Sequence, residues 1–195
     1  MKSVLISIQP KWCEFIASGK KTVEVRKTRP KLETPFKVYI YCTKSRNEAL
    51  WKYQGEYYYD TQFPNERPNK ANGKVIGEFV CDKIECFTTD YRRDGLQTDR
   101  MVEASCVDYF DLCEYEENAR CLYGWHISNL VIYDKPKELS EFKTPPCERP
   151  ENACENCKYL EVINTPNYYE VECYRENGVY LTRPPQSWCY VEELE

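Results

Sequence analysis

Gly19-Lys20-Lys21-Thr22-Val23-Glu24-Val25-Arg26 is the stretch on which the reading of this chain turns. Gly19 follows a short apolar stripe and reads as a helix stop, because glycine takes the left-handed backbone that ends a helix without strain. From Thr22 the residues alternate with the period of a strand, so Val23 and Val25 share one face and Thr22, Glu24 and Arg26 share the other. Lys21 lies in the turn, within reach of that polar face. The segment thus gathers two cations and a carboxylate at a helix-to-strand junction. Lysine supplies a point charge, or a nucleophile or base when its pKa falls, and arginine a planar fork for a phosphate or base edge. Glutamate accepts from a nucleobase amino group or relays a proton. The bland alternative is a charge cluster that pins the helix to the strand.

Outward from this segment the chain reads as mixed α and β. Ser3–Ile8 is a β-prone run ended by Pro10, and Trp12, Phe15 and Ile16 form the stripe of a short amphipathic helix. Phe36–Cys42, Val75–Ile84 and Trp125–Tyr133 are predicted strands. Asn72-Gly73 marks a turn before the second of these, and Gly77 inside it predicts a bulge or sharp bend. Ser105 and Asp108 resemble a capping box that opens a helix through about Asn118, with Val107, Phe110 and Cys113 at spacing three. Residues 51–74 read as a long aromatic loop carrying Trp51, Tyr53, Tyr57, Tyr58, Tyr59 and Phe63. These rings either stack bases or cover one end of the fold. Rings in the motif cleft favour a nucleobase ligand; rings packed outside it favour a protein interaction. No G-x-G-x-x-G or G-x-x-x-x-G-K-[ST] occurs, so nucleotide-cofactor folds have no support. The expected fold class is α+β: a small mixed β-barrel flanked by short helices, with a small cysteine-rich β-hairpin tail.

Gly19-x-Lys21-x-x-Glu24-x-Arg26 resembles the G-x-K-x-x-E-x-R signature of the ASCH family (activating signal cointegrator homology), part of the PUA-like superfold. The surrounding order is similar too: Ser7-Ile8-Gln9-Pro10, a helix with Trp12 and Ile16, Val38–Tyr41 closed by Thr43-Lys44, Val75–Phe79 with its glycine, and Gly124-Trp125-His126-Ile127. The resemblance covers about residues 1–142. It implies a five- to six-stranded barrel with a ligand cleft at the motif, and an RNA or modified-nucleoside ligand. On that basis Gly19, Arg26, Lys44 and Trp125 are candidate ligand contacts, Trp125 being equally readable as core. Some small members resemble amidohydrolases that act on acetylated cytidine through a lysine, a threonine and a glutamate; others resemble ribonucleases. The resemblance places the lysine on Lys21. Glu24 stands where the hydrolase branch has its threonine, and Lys21 with Glu24 are the candidate catalytic pair. Glu78, Glu114 and Glu117 are the candidates for the partner glutamate. His126 is the only histidine, so any Ser–His or Cys–His scheme has to use it; a packed or cleft-lining role is expected instead.

Composition bounds these readings. The chain has 195 residues, 42% of them apolar and 14% aromatic, enough for a real core. No apolar run approaches the length of a membrane span or a signal-peptide core, which predicts a cytoplasmic protein with reduced thiols. The formal net charge is −5, yet residues 1–50 carry a net +7 and hold the motif, so the basic part and the candidate site coincide. Twelve cysteines divide into seven scattered ones, attributed to burial, and five in the last 49 residues. Phe142-Lys143-Thr144-Pro145-Pro146 reads as a linker, dividing a domain over 1–145 from a metal-binding tail over 146–195. Within the tail, Cys154 and Cys157 form a C-x-x-C, Cys173 lies on a strand-like run, and Cys147 and Cys189 compete for the fourth place. Four thiolates predict one structural Zn2+, with an iron–sulfur cluster as the lesser alternative. Three functions follow: an RNA- or nucleoside-binding protein, a hydrolase acting through Lys21, or a protein-interaction module using the acidic tail.

Overall fold

The structure is a computed structural model that describes residues 1–147, 160–164, 169–173 and 177–194. It is mixed α+β. Among the described residues the strands fall into four hydrogen-bonded sheets, none closed on itself.

The principal sheet has five strands in the order β12-β1-β3-β6-β9. These are β1 (Lys2–Ile8), β3 (Phe36–Cys42), β6 (Lys74–Cys81), β9 (Ser128–Glu138) and β12 (Trp188–Glu192). β1 and β3 run parallel, and the other neighbours are antiparallel. Both faces of the central strands are covered, which explains why β1 and β3 are nearly continuous in apolar residues. On one face Val4, Ile6, Ile8, Val38 and Ile40 pack with Cys13 and Ile16 of helix α1 (Pro10–Ala17) and with Trp125. On the other, Leu5, Tyr39, Tyr41 and Val75 pack with Phe142 and Val191.

A second sheet, in the order β2-β8-β7, is formed by β2 (Val23–Arg26), β8 (Leu122–His126) and β7 (Ile84–Phe87). Val23 and Val25 point from it to a third cluster with Met101 of helix α2 (Tyr91–Ser105) and Leu112 of helix α3 (Tyr109–Glu116). Glu24 and Arg26 face the opposite way, as the period-2 alternation predicts.

Several expectations need correction. Residues 51–74 are not one loop: β4 (Ala49–Tyr53) and β5 (Glu56–Asp60) form a hairpin across Gln54-Gly55, both at positive φ. Val75–Ile84 and Trp125–Tyr133 are each divided, by Asp82-Lys83 and by Ile127, so that β6/β7 and β8/β9 belong to different sheets. The helix expected from Ser105 starts later. Ser105 ends α2, and Asp108 is the N-cap of α3, its carboxylate accepting from the Phe110 N–H at 2.9 Å. Phe110, expected on the apolar stripe, is 76% exposed, while Leu112 is buried. Helix α2 had no sequence expectation at all. Its residues are polar on average, and its backbone kinks at Asp94.

The end of the chain returns across residue 145. β12 pairs with β1 from Lys2↔Glu192 to Ile6↔Trp188, so the last strand belongs to the principal sheet. The hairpin β10 (Leu160–Asn164) and β11 (Tyr169–Cys173) pairs within itself. No helix among the described residues is long and apolar enough to cross a membrane.

Candidate functional site

Helix α1 begins with Pro10 at its first turn and ends where Gly19, at φ +75°, turns the chain back. The Lys21 N–H then donates to Phe15 O at 2.9 Å, and the Thr22 N–H donates to Ala104 O at 2.9 Å. These two bonds fix where β2 starts. They put Lys21 beneath α1 and against the C-terminus of α2.

There the Lys21 ammonium donates to Ser105 O at 2.7 Å, a helix-end carbonyl with no partner inside its own helix. It lies 3.3 Å from Glu24 Oε2 and 5.3 Å from the centre of the Trp12 ring. Glu24 Oε1 in turn meets Arg26 Nη2 at 2.9 Å. Arg26 Nη2 also donates to Ser7 O at 2.6 Å, and Nη1 to Ser187 Oγ at 3.4 Å. Burial pushes the Lys21 ammonium below the ordinary lysine range, against the opposing pull of Glu24. Only 2% of the Lys21 side chain and 8% of that of Glu24 are exposed, so the triad is a desolvated charge cluster rather than a surface ion pair. Its hydrogen bonding is incomplete: among the described residues, the buried Arg26 Nε has no hydrogen-bond partner and Glu24 Oε2 meets only the Lys21 ammonium.

Above the triad opens a cleft of about 260 Å³. Lys21, Glu24 and Arg26 form its floor. Trp12 of α1 lines one side, Asp111 and Tyr115 of α3 another, and Gln9 the rim. The cleft therefore offers buried cations, a carboxylate and two aromatic walls, the equipment for a planar polar ligand.

The sequence model of the ASCH domain matches residues 6–173. The chain belongs to the ASCH domain family. A crystal structure of a mutant ZmASCH protein from Zymomonas mobilis is similar to this ASCH protein in fold, with a TM-score of 0.50, 18% identity, and coverage of 71% of this chain and 77% of that one. A crystal structure of ASCH from Zymomonas mobilis gives a TM-score of 0.49 at 18% identity, over 70% and 73% of the two chains. No curated protein matches this chain.

Of the predicted site residues, this ASCH protein brings Lys21, Glu24 and Arg26 together and leaves others apart. Gly19 shapes the approach to Lys21 without lining the cleft. Lys44 is exposed, with its stem over Gly73, and is not a cleft residue. Trp125 is fully buried, edge-on to Phe36 and tilted against Trp188, so it is core. The reason is register: Trp125 pairs with Glu24 across β2–β8, and its bulky ring fills the space between the two sheets. Among the candidate partner glutamates, Glu78 is tied to Lys37 and Tyr133, and none of Glu78, Glu114 and Glu117 lines the cleft.

Sequence reasoning missed Ser105, Asp111, Tyr115 and Ser187. Each comes from a segment far along the chain from the motif, Ser105 being 84 residues from the Lys21 it meets, and no local period marks it. Trp12 was visible, but as a core residue. The scattered cysteines divide: Cys13, Cys42 and Cys81 are buried, whereas Cys86 is exposed and Cys106, Cys113 and Cys121 are partly so. In the tail, Cys154 and Cys157 lie outside the described residues. Cys147 is a partly exposed free thiol. Cys173 ends β11, opposite Leu160. Cys189 sits on β12 against the second face of the principal sheet, and burial pushes its thiol up to about 11. Among the described residues no group of three or more His, Cys, Asp or Glu side chains is placed to hold a metal.

Proposed function

We propose that the cleft over Lys21, Glu24 and Arg26 binds a nucleobase or nucleoside unit of RNA. The observation that carries this reading is the buried triad with spare capacity: the Arg26 Nε hydrogen has no acceptor among the described residues, and Glu24 Oε2 meets only the Lys21 ammonium, which leaves it a lone pair. A donor–acceptor edge of a base satisfies both, and buried polar groups left unpaired are costly. Trp12 and Tyr115 supply flat apolar surface for a ring. The ASCH family's association with RNA and the net +7 of residues 1–50 support the same ligand class. The test is calorimetric titration with cytidine and with N4-acetylcytidine, beside fluorescence anisotropy of a labelled short RNA. Arg26→Ala and Glu24→Gln should each weaken binding about tenfold or more, with circular dichroism checking the fold. Unchanged affinity in both variants sinks the reading.

Hydrolysis is the second reading, favoured by one observation: burial lowers Lys21 towards the neutral amine that accepts a proton. In that case Lys21 and Glu24 act on an amide or phosphodiester bound above them. Release of acetate from N4-acetylcytidine, or shortening of an RNA, separates this reading from binding alone.

For the tail, the proposal is a structural Zn2+ held by Cys147, Cys154, Cys157 and Cys173. The β10–β11 register supports the last of these, since Cys173 pairs with Leu160, three residues after Cys157 in sequence. Cys189 fits least, because it lies on β12 within the principal sheet, packed against the second core cluster. Metal analysis should give about one zinc per chain, and metal-free protein would remove the proposal. A protein partner engaged through the acidic tail remains the third function.

A further inference from the structure

The β4–β5 hairpin carries a second surface. Its two faces are unlike in a way that core packing does not explain. Leu50 and Tyr57 point inwards and are buried against the core. Trp51, Tyr53 and Tyr58 point outwards. Trp51 pairs with Tyr58 across the hairpin, their ring centres 5.4 Å apart and their planes inclined by 35°. Tyr53 stands 5.9 Å from Trp51 at 40°. Tyr53 is 53% exposed and Tyr58 39%, while Trp51 between them is half-buried. The Arg67 guanidinium sits 5.1 Å over the Trp51 ring and is ion-paired to Asp60.

On the side of the hairpin to which Lys52 points, and lined by none of the three rings, runs a groove of about 500 Å³. Lys52, Lys70, Lys74 and Lys135 line it, with Asp134 as its one carboxylate. Lys70 is joined to the platform by a backbone bridge to Trp51. Lys52 is spent on Tyr133 O, Asp134 O and the Asp134 carboxylate, and Lys74 on Glu138. Lys70 and Lys135 have no ion pair among the described residues. Nothing in this groove or on this platform lines the cleft over Lys21.

We infer that this face binds single-stranded nucleic acid, its bases stacked on Trp51, Tyr53 and Tyr58 and its phosphates along the lysine groove. Flat aromatic rows accept any base by its π-face, and an adjoining cationic track follows the backbone. The choice of nucleic acid over protein rests on the lysines. Protein interfaces are rich in Trp, Tyr and Arg but depleted in Lys, whereas phosphate neutralisation needs such cations. The surface shares no residue with the proposed cleft, so the two stand or fall separately.

The test is anisotropy of a fluorescein-labelled 12-nucleotide oligouridine with the full chain at several salt concentrations. Trp51→Ala with Tyr58→Ala should weaken binding by about tenfold per ring, while Trp51→Phe retains most of it. Lys70→Glu with Lys135→Glu should weaken binding and flatten the salt dependence by about one to two ion equivalents. Tyr58 and Lys135 are exposed and Trp51 and Lys70 half-buried, and the charge-reversal pair leaves the rings in place, so one set reports even where the other unfolds. In an Arg26→Ala background, which disables the cleft, the ring and lysine substitutions should still lower oligouridine affinity by the same factors, and this separates the face from the cleft. Full affinity in the ring and lysine variants overturns the inference, and so does a wild-type chain that fails to bind oligouridine at low salt. Self-association of the wild type that the ring variants abolish, without RNA binding, also overturns it and marks the face as a protein interface.

Discussion

His126 donates from Nε2 to Glu85 Oε1 at 2.6 Å, and Lys83 and Arg100 approach the same carboxylate at 3.0 and 2.7 Å. The one histidine therefore ends in a charge network on β7–β8 and does not line the cleft over Lys21. Burial alone would raise the Glu85 carboxyl. The hydrogen bonds from Lys83 and His126 and the charge of Arg100 more than offset that and hold it below the ordinary glutamate range. A carboxyl with a lowered folded pKa contributes stability that is full above the unfolded value and is lost as pH falls through the folded value. Glu85→Gln should then cost about 1 kcal/mol at pH 7, with the gap to wild type closing below about pH 4. Urea denaturation at pH 7 and pH 3.5 measures it, and a gap that does not change with pH rejects the account. At this scale the motif was legible because Glu24 and Arg26 alternate on one strand and Lys21 lies in the turn just before it. Trp125 was not legible as core, because a tryptophan at a strand end looks the same whether its ring meets solvent or a second sheet.

Gly77 in β6 shows how one residue governs an element. Register shifts flank it in both ladders, at Ile40/Tyr41 and at Val75/Gly77, as a strand-interior glycine predicts. A Cβ at this position would lie 2.4 Å from Val131 O, a backbone atom of β9 that has no room to retreat. Gly77→Ala should destabilise the protein by about 2–3 kcal/mol through overpacking, read as a lowered midpoint in thermal denaturation. An unchanged midpoint would mean that β9 yields. The β4–β5 hairpin was missed for the opposite reason. Its strands are short, their outer face is as aromatic as their inner one, and the polar–apolar alternation that announces a strand is absent. Helix α3 was found but misplaced, because Ser105 and Asp108 are both cap residues by chemistry. The end of α2, where Ser105 O meets the Lys21 ammonium, decides between them.

For the whole molecule, the last strand matters most. β12 closes one edge of the principal sheet and lays Val191 into the second core cluster, while the Leu194 N–H donates to the Tyr39 hydroxyl at 2.8 Å. A chain ending at residue 186 loses that ladder and leaves β1 an exposed apolar edge. At roughly 2 kcal/mol for each large side chain unburied, it should melt about 10 °C lower or collect as insoluble protein. A soluble truncated chain with the wild-type melting temperature contradicts this role for β12. The same return of the chain brings Ser187 to Arg26, so the tail end also helps hold the triad. By itself the sequence determined the α+β class, the ASCH family and the three charged residues of the floor, because these depend on local periodicity and on side chains close together along the chain. The tertiary structure alone decided that the cleft is walled by Asp111 and Tyr115, that Trp125 is core, that the end of the chain joins the first sheet, and that the rings of the hairpin face outwards. Each of those follows from contacts between segments far apart in sequence, which form only when burial of the three apolar clusters fixes how the sheets and helices meet.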